Sequence, residues 1–93
     1  MPSTIKRGMR IDPKDTVGVV LEDIKRGEMV CCGDITVTVQ EDILMPHKIA
    51  LVDIKKGDSL YKYGEIIGYA TQDINKGEHV HVHNLDSEKI MKQ

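Results

Sequence analysis

One eight-residue rule is written three times into this chain, and it limits the fold more than any other feature. The copies are Asp23-Ile24-Lys25-Arg26-Gly27-Glu28-Met29-Val30, Asp53-Ile54-Lys55-Lys56-Gly57-Asp58-Ser59-Leu60 and Asp73-Ile74-Asn75-Lys76-Gly77-Glu78-His79-Val80. Each follows a run of β-branched or aliphatic residues. The rule describes a corner. Ile closes the core as a strand ends, the polar pair turns, and Gly takes the backbone conformation with positive φ. The last apolar residue then re-enters a sheet. The copies start 30 and then 20 residues apart. That uneven spacing excludes a solenoid of fixed period and predicts one compact β domain that uses the same corner three times. The repeated Asp, Glu and Lys side chains read as turn chemistry and solvated surface.

The residues between the corners agree with strands. Ile and Val supply 20 of the 93 residues and Leu only 5, and β-branched side chains suit a pleated surface. Residues 34–40 alternate strictly, with Ile35, Val37 and Val39 on one face. Residues 16–21, 48–52 and 66–71 read as further short strands. No segment keeps a 3.6-residue apolar period over three turns. The tail, 86–93, is expected to form one polar helical turn or to fray. The fold class is therefore all-β, a single domain over 1–93 with its core between about 11 and 85. A chain of this size hides only about 60–65% of its extended surface, so self-association into a homo-oligomer or docking on a larger partner would help it.

Composition removes several function classes. Thirteen basic and 15 acidic side chains leave a net charge of -2, which argues against nucleic acid or an anionic membrane as partner. There is no Trp or Phe for base stacking, only Tyr61, Tyr63 and Tyr69. No apolar run approaches the ~20 residues of a membrane span, and the N-terminus lacks a signal-peptide core. A cytoplasmic protein is expected. Cys31 and Cys32 are neighbours, which rarely suits an unstrained disulfide, and no second pair at metal-ligand spacing exists. They read as two strand residues, one per face.

Chemistry concentrates in His79-Val80-His81-Val82-His83-Asn84. If this run is extended, the three histidines share one face and the two valines the other. The ladder ends would lie about 13 Å apart at ~3.3 Å per residue, so an adjacent pair, not all three, would chelate one divalent ion. The fourth histidine lies in Met45-Pro46-His47-Lys48, where Pro46 stiffens the approach to a strand. His47 and Lys48 are types suited to proton transfer or to binding a carboxylate. Tyr61 and Tyr63 are candidates to cap the core. There is no phosphate loop, nucleophile elbow or paired-carboxylate signature, so the chain holds at most part of a catalytic site.

These residues occur in an order that resembles a known family. His47-Lys48-Ile49-Ala50-Leu51, Asp53-Ile54-x-x-Gly57, Lys62-Tyr63-Gly64-x-x-Ile67-Gly68-x-Ala70-Thr71 and the histidine run together look like the N-terminal domain, or separate small subunit, of altronate/galactarate dehydratases. Sulfolactate sulfo-lyase small subunits are similar. The resemblance implies an SAF-type β-clip of short twisted strands with long connections. It implies a role in a carbon–oxygen lyase that dehydrates sugar acids with a divalent metal, Fe2+ or Mn2+, and a separate large catalytic subunit as partner. Carried onto this sequence, His81 and His83 contact metal or substrate, with His79 a further candidate. Asn84 fixes a substrate hydroxyl, His47 transfers a proton, and Lys48 pairs with the carboxylate. Pro46 departs from the family, which usually has Gly before the His-Lys pair. Sulfite elimination from a sulfo-acid, or a non-enzymatic module binding a small acid or metal, are the alternative expectations.

Overall fold

The computed structural model describes residues 5–87 and is all-β. The described residues form nine strands: β1 (Ile5–Met9), β2 (Val17–Val20), β3 (Met29–Cys32), β4 (Ile35–Thr38), β5 (Lys48–Ala50), β6 (Ser59–Lys62), β7 (Glu65–Ala70), β8 (His79–Val80) and β9 (Leu85–Asp86). The first six-stranded sheet runs β4-β3-β1-β2-β5-β8, and the second runs β6-β7-β9. All pairings are antiparallel except β1 with β3. The strands expected at 16–21, 34–40, 48–52 and 66–71 are all present. In the alternating segment Val37 and Val39 are buried and Ile35 packs at the core margin. Asp86 ends in β9, whereas 88–93, the rest of the expected tail turn, lie outside the described residues. No helix among the described residues is long and apolar enough to cross a membrane.

Strands β2, β5 and β8 form a layer between two apolar clusters. The period-two rule assigns the faces. Val20, Ile49 and Leu51 join Ile24, Val30, Val37 and Ile43 on one side. Val17, Ala50 and Val80 join Ile54, Leu60, Ala70 and Ile74 on the other. This double burial explains why β2, Val-Gly-Val-Val, carries no polar position. Its glycine is a matter of space. A Cβ at Gly18 would lie 2.8 Å from Cys32 Sγ, and one at Gly8 would overlap the same sulfur. Cys32 thus fills the gap left by two glycines. Burial raises its thiol pKa to about 11, which makes it an inert core residue. Cys31, on the other face, is half-buried.

The corner occurs four times, not three. Asp42-Ile43-Leu44-Met45-Pro46-His47-Lys48-Ile49 adopts the same turn, and the corners associate as two pairs. Ile24 and Ile43 exchange backbone hydrogen bonds of 2.9 and 2.8 Å, and Ile54 and Ile74 do the same at 2.8 Å. Each leading Asp accepts a backbone N–H from its partner corner. Arg26 donates to Asp42, Met45 to Asp23, Lys56 to Asp73 and Lys76 to Asp53, all at 2.8–2.9 Å. Paired starts are 19 and 20 residues apart, which explains the spacing that looked irregular with one copy unseen. The two pairs superimpose in sequence with one extra residue in the second, where a bulge shifts the register between Leu60 and Tyr61. As expected, the corner isoleucines are buried and Gly27, Gly57 and Gly77 have φ of 91, 91 and 92°.

Asp15 ties the loop before β2 to the β6–β7 hairpin. It is 3% exposed and accepts N–H bonds from Gly64 at 2.7 Å, Asp12 at 3.1 Å and Ile11 at 3.2 Å. Burial alone would raise its carboxyl pKa, but the backbone donors, Tyr63 included, together hold it below the ordinary value. Its stabilising contribution is therefore complete above the unfolded-state value of about 3.9. It is lost as pH falls from there through the lowered folded-state value. Asp15→Asn is expected to cost about 1–3 kcal/mol at pH 7, with the gap from wild type closing in acid. Urea unfolding across pH checks this, and a gap that persists unchanged in acid contradicts it.

Candidate functional site

The second corner differs from the others where chemistry gathers. In three copies the sixth residue is an acid that folds back on its own turn. Lys25 N–H donates to Glu28 at 2.8 Å, Lys55 N–H to Asp58 at 3.1 Å and Asn75 N–H to Glu78 at 2.7 Å. His47 occupies that position in the second copy and turns instead to the neighbouring strand. Its Nδ1 lies 2.8 Å from Nε2 of His79. Gly is replaced there by Pro46, on a cis Met45–Pro46 peptide.

Register brings the other imidazoles in. β5 and β8 pair Ile49 with His79 and Lys48 with Val80. One step beyond the ladder, His47 stands opposite His81, on the face that carries Ile49 and His79. The His47 and His81 rings are near-parallel, with centroids 4.5 Å apart. Ring nitrogens of His47, His79 and His81 all lie within 4.8 Å of one another. The His47–His79 centroid distance of 4.9 Å and interplanar angle of 16°, with a 2.8 Å nitrogen separation, describe two rings meeting edge to edge through a hydrogen bond.

The expected extended ladder is thus shorter than its sequence. β8 ends at Val80, and the chain turns, with Asn84 N–H donating to the His81 carbonyl at 3.0 Å. Val82 consequently is 77% exposed and does not share the core with Val80. His83 is exposed and tilted, with its ring 5.4 Å from His79, outside the three-donor group. Asn84 is 2% exposed. Its Oδ1 accepts His81 N–H at 3.0 Å and its Nδ2 donates to the His79 carbonyl at 2.8 Å. Both halves of the amide therefore hold the backbone that carries His79 and His81. Glu41 holds His79 from the other side by accepting its N–H at 3.0 Å. Lys48 and His47, adjacent in sequence, lie on opposite faces, and Lys48 shares its side with Val80.

The surroundings bias His79 and His81 toward the neutral form. Burial, then repulsion from His47 and His83, lowers the His79 pKa against an opposing pull from Glu41. Burial lowers that of His81 too, with His47, Lys48 and His83 adding to it. Burial and Lys62 lower Lys48. Neutral imidazole is the metal-binding form, and a group of three imidazole donors matches a divalent-ion site in kind. The ring nitrogens of His47, His79 and His81 would hold such an ion in place of the hydrogen bond between His47 and His79. The sequence concealed His47's membership because its corner breaks the rule at Gly and at the acid. The preserved Asp42-Ile43 was the available signal.

An all-β clip built from paired corners, with histidines from two of them converging at one strand end, defines an SAF-type domain. This chain belongs to the altronate/galactarate dehydratase SAF domain family, whose model matches residues 6–88. It is 46% identical over 80 residues to an altronate dehydratase of Bacillus subtilis, covering 86% of this chain and 16% of that protein. It is also 46% identical over 76 residues to an altronate dehydratase of Escherichia coli, covering 82% of this chain and 15% of the relative. Against a (2R)-sulfolactate sulfo-lyase subunit alpha of Chromohalobacter salexigens the identity is 38% over 85 residues, covering 84% of this chain and 90% of the relative. The chain thus spans about a sixth of the altronate dehydratases it matches and nearly all of the sulfo-lyase subunit.

Proposed function

We propose that this chain is the small SAF component of a cytoplasmic hydro-lyase that converts an aldonic or aldaric acid into a 2-keto-3-deoxy acid, together with a large catalytic polypeptide. The observation that carries the reading is the convergence of His47, His79 and His81 within 4.8 Å in a chain of this family. These three are the donor set for a divalent ion, Fe2+ or Mn2+. Such an ion, when bound, supplies positive charge against the enolate-like charge that builds on a carboxylate substrate.

The chain's own groups have separable tasks. Nδ1 of His47 belongs to the cluster, while its outer Nε2 remains to hand a proton to the departing C3 hydroxyl. Lys48, at the strand end and close enough to bias His81, supplies a cation for the carboxylate. His83 flanks the cluster. Asn84 acts through His79 and His81 by fixing their backbone, since both halves of its amide are already used.

A second reading has its own support. The sulfo-lyase subunit is matched over 90% of its length, so a small subunit acting on a sulfonated hydroxy acid fits the chain's size. Reconstitution with the large polypeptide decides between them. Altronate, galactarate and sulfolactate would be offered in turn, following keto-acid and sulfite release. Keto-deoxy-acid formation from a sugar acid is expected. Sulfite release alone would transfer the assignment to the second reading, and no turnover of any of the three would end the lyase proposal.

A further inference from the structure

The four corners act as controls for one another. At their third and fourth positions three copies carry Lys25-Arg26, Lys55-Lys56 and Asn75-Lys76, all exposed. The second copy has Leu44 and Met45 there, 61% and 55% exposed, followed by exposed Pro46. Its backbone differs at Pro46, on a cis peptide where the sisters have a positive-φ glycine, but the link between paired corners is kept. Met45 N–H donates to Asp23 as Arg26 N–H does to Asp42. Corner geometry therefore does not require apolar side chains at these positions, and water disfavours them. Nor does the domain cover them. Leu44 edges a shallow cleft of about 360 Å³ whose other walls include Lys6, Lys25, Glu28 and Asp42. Val82, between His81 and His83 in the chain, is 77% exposed. Exposed apolar residues therefore precede His47 and separate His81 from His83 along the chain.

We infer that Leu44, Met45 and Val82 form the surface on which the large catalytic polypeptide docks, and that docking closes the imidazole cluster against that polypeptide. The inference rests on the lyase reading above. The occupant follows from the relatives. In the altronate dehydratases this domain is 15–16% of the chain, so a much larger body of protein accompanies it. The size of the accompanying body in those relatives, rather than charge, selects the large polypeptide over a second copy of this chain. Contact there would also exclude water from the cluster, which strengthens every electrostatic interaction inside it.

The test uses the double variant L44K/M45K, which gives the second corner the basic pair that the first and third already carry and leaves every histidine in place. Its urea midpoint should match wild type. By isothermal titration against the purified large polypeptide, binding is expected to weaken at least ~30-fold, the loss typical of removing an interfacial anchor. A V82K variant should weaken it in the same direction. Unchanged affinity in a folded double variant overturns the inference while leaving the lyase reading intact. Failure of the wild-type chain to bind the large polypeptide overturns both. Self-association of wild type that the double variant abolishes, seen by sedimentation, overturns the choice of occupant and assigns the face to a second copy.

Discussion

Alanine at Gly77 is expected to destabilise the domain by ~4 kcal/mol, whereas alanine at Gly27 or Gly57 should cost only ~1–2 kcal/mol. The three glycines have the same φ, within a degree of 91°, so the conformational part of the cost is shared. They differ in what a methyl group would meet. Nothing lies within 4 Å of a Cβ at Gly27 or Gly57, whereas one at Gly77 would overlap the Thr38 carbonyl oxygen. Backbone cannot rotate away as a side chain can, and the Gly77 carbonyl accepts Gln40 N–H at 2.9 Å across the same contact. The fourth corner is pressed against the strand leading to the second. Denaturant unfolding of the three single variants measures the contrast. Equal losses would show that the close packing of Gly77 against Thr38 carries no energetic weight.

The second large effect concerns the cluster. His47→Ala is expected to reduce Co2+ affinity by more than 100-fold, exceeding the ~10–100-fold associated with outer-sphere partners of a metal ligand. Asn84→Ala should fall within that lower range, because it leaves three imidazoles present and loosens only the turn that aims two of them. Isothermal titration gives the affinities, and the visible spectrum of bound Co2+ reports the ligand field, which a general loss of stability would not reproduce. The fold should survive His47→Ala, since the backbone bond from Val20 N–H to the His47 carbonyl at 3.0 Å does not depend on the ring. Co2+ binding in His47→Ala as tight as in wild type would remove His47 from the donor set.

Residue type carried much of this architecture into the sequence. The alternation of Ile35, Val37 and Val39 named a strand and its buried face correctly. The Asp-Ile-x-x-Gly rule predicted both the buried isoleucines and the positive φ at the glycines, because few residue types satisfy those two demands at once. The second corner was hidden because Leu44, Met45, Pro46 and His47 depart from the rule at the polar pair, the glycine and the acid. The histidine run was legible as a concentration of donors but not as a shape. Strand pairing, which places His47 opposite His81, is a long-range fact, and the turn after Val80 depends on Asn84 reaching back across it. Likewise, the roles of Gly8, Gly18 and Cys32 follow from three strands meeting, which no local pattern encodes.

Replacing the folded-back acid of the second corner by His47 gives up one turn-closing hydrogen bond, worth about 0.5–1.5 kcal/mol. Against the 5–15 kcal/mol typical of a folded domain that loss is small, and the sister corners still fix the bend. Redundancy of this kind lets a scaffold vary one member of a set without risking the set. The same duplication that builds the clip leaves one of its turns free to be shaped by chemistry, and any of the other three, rewritten in the same two positions, is a place where a new binding site could be built.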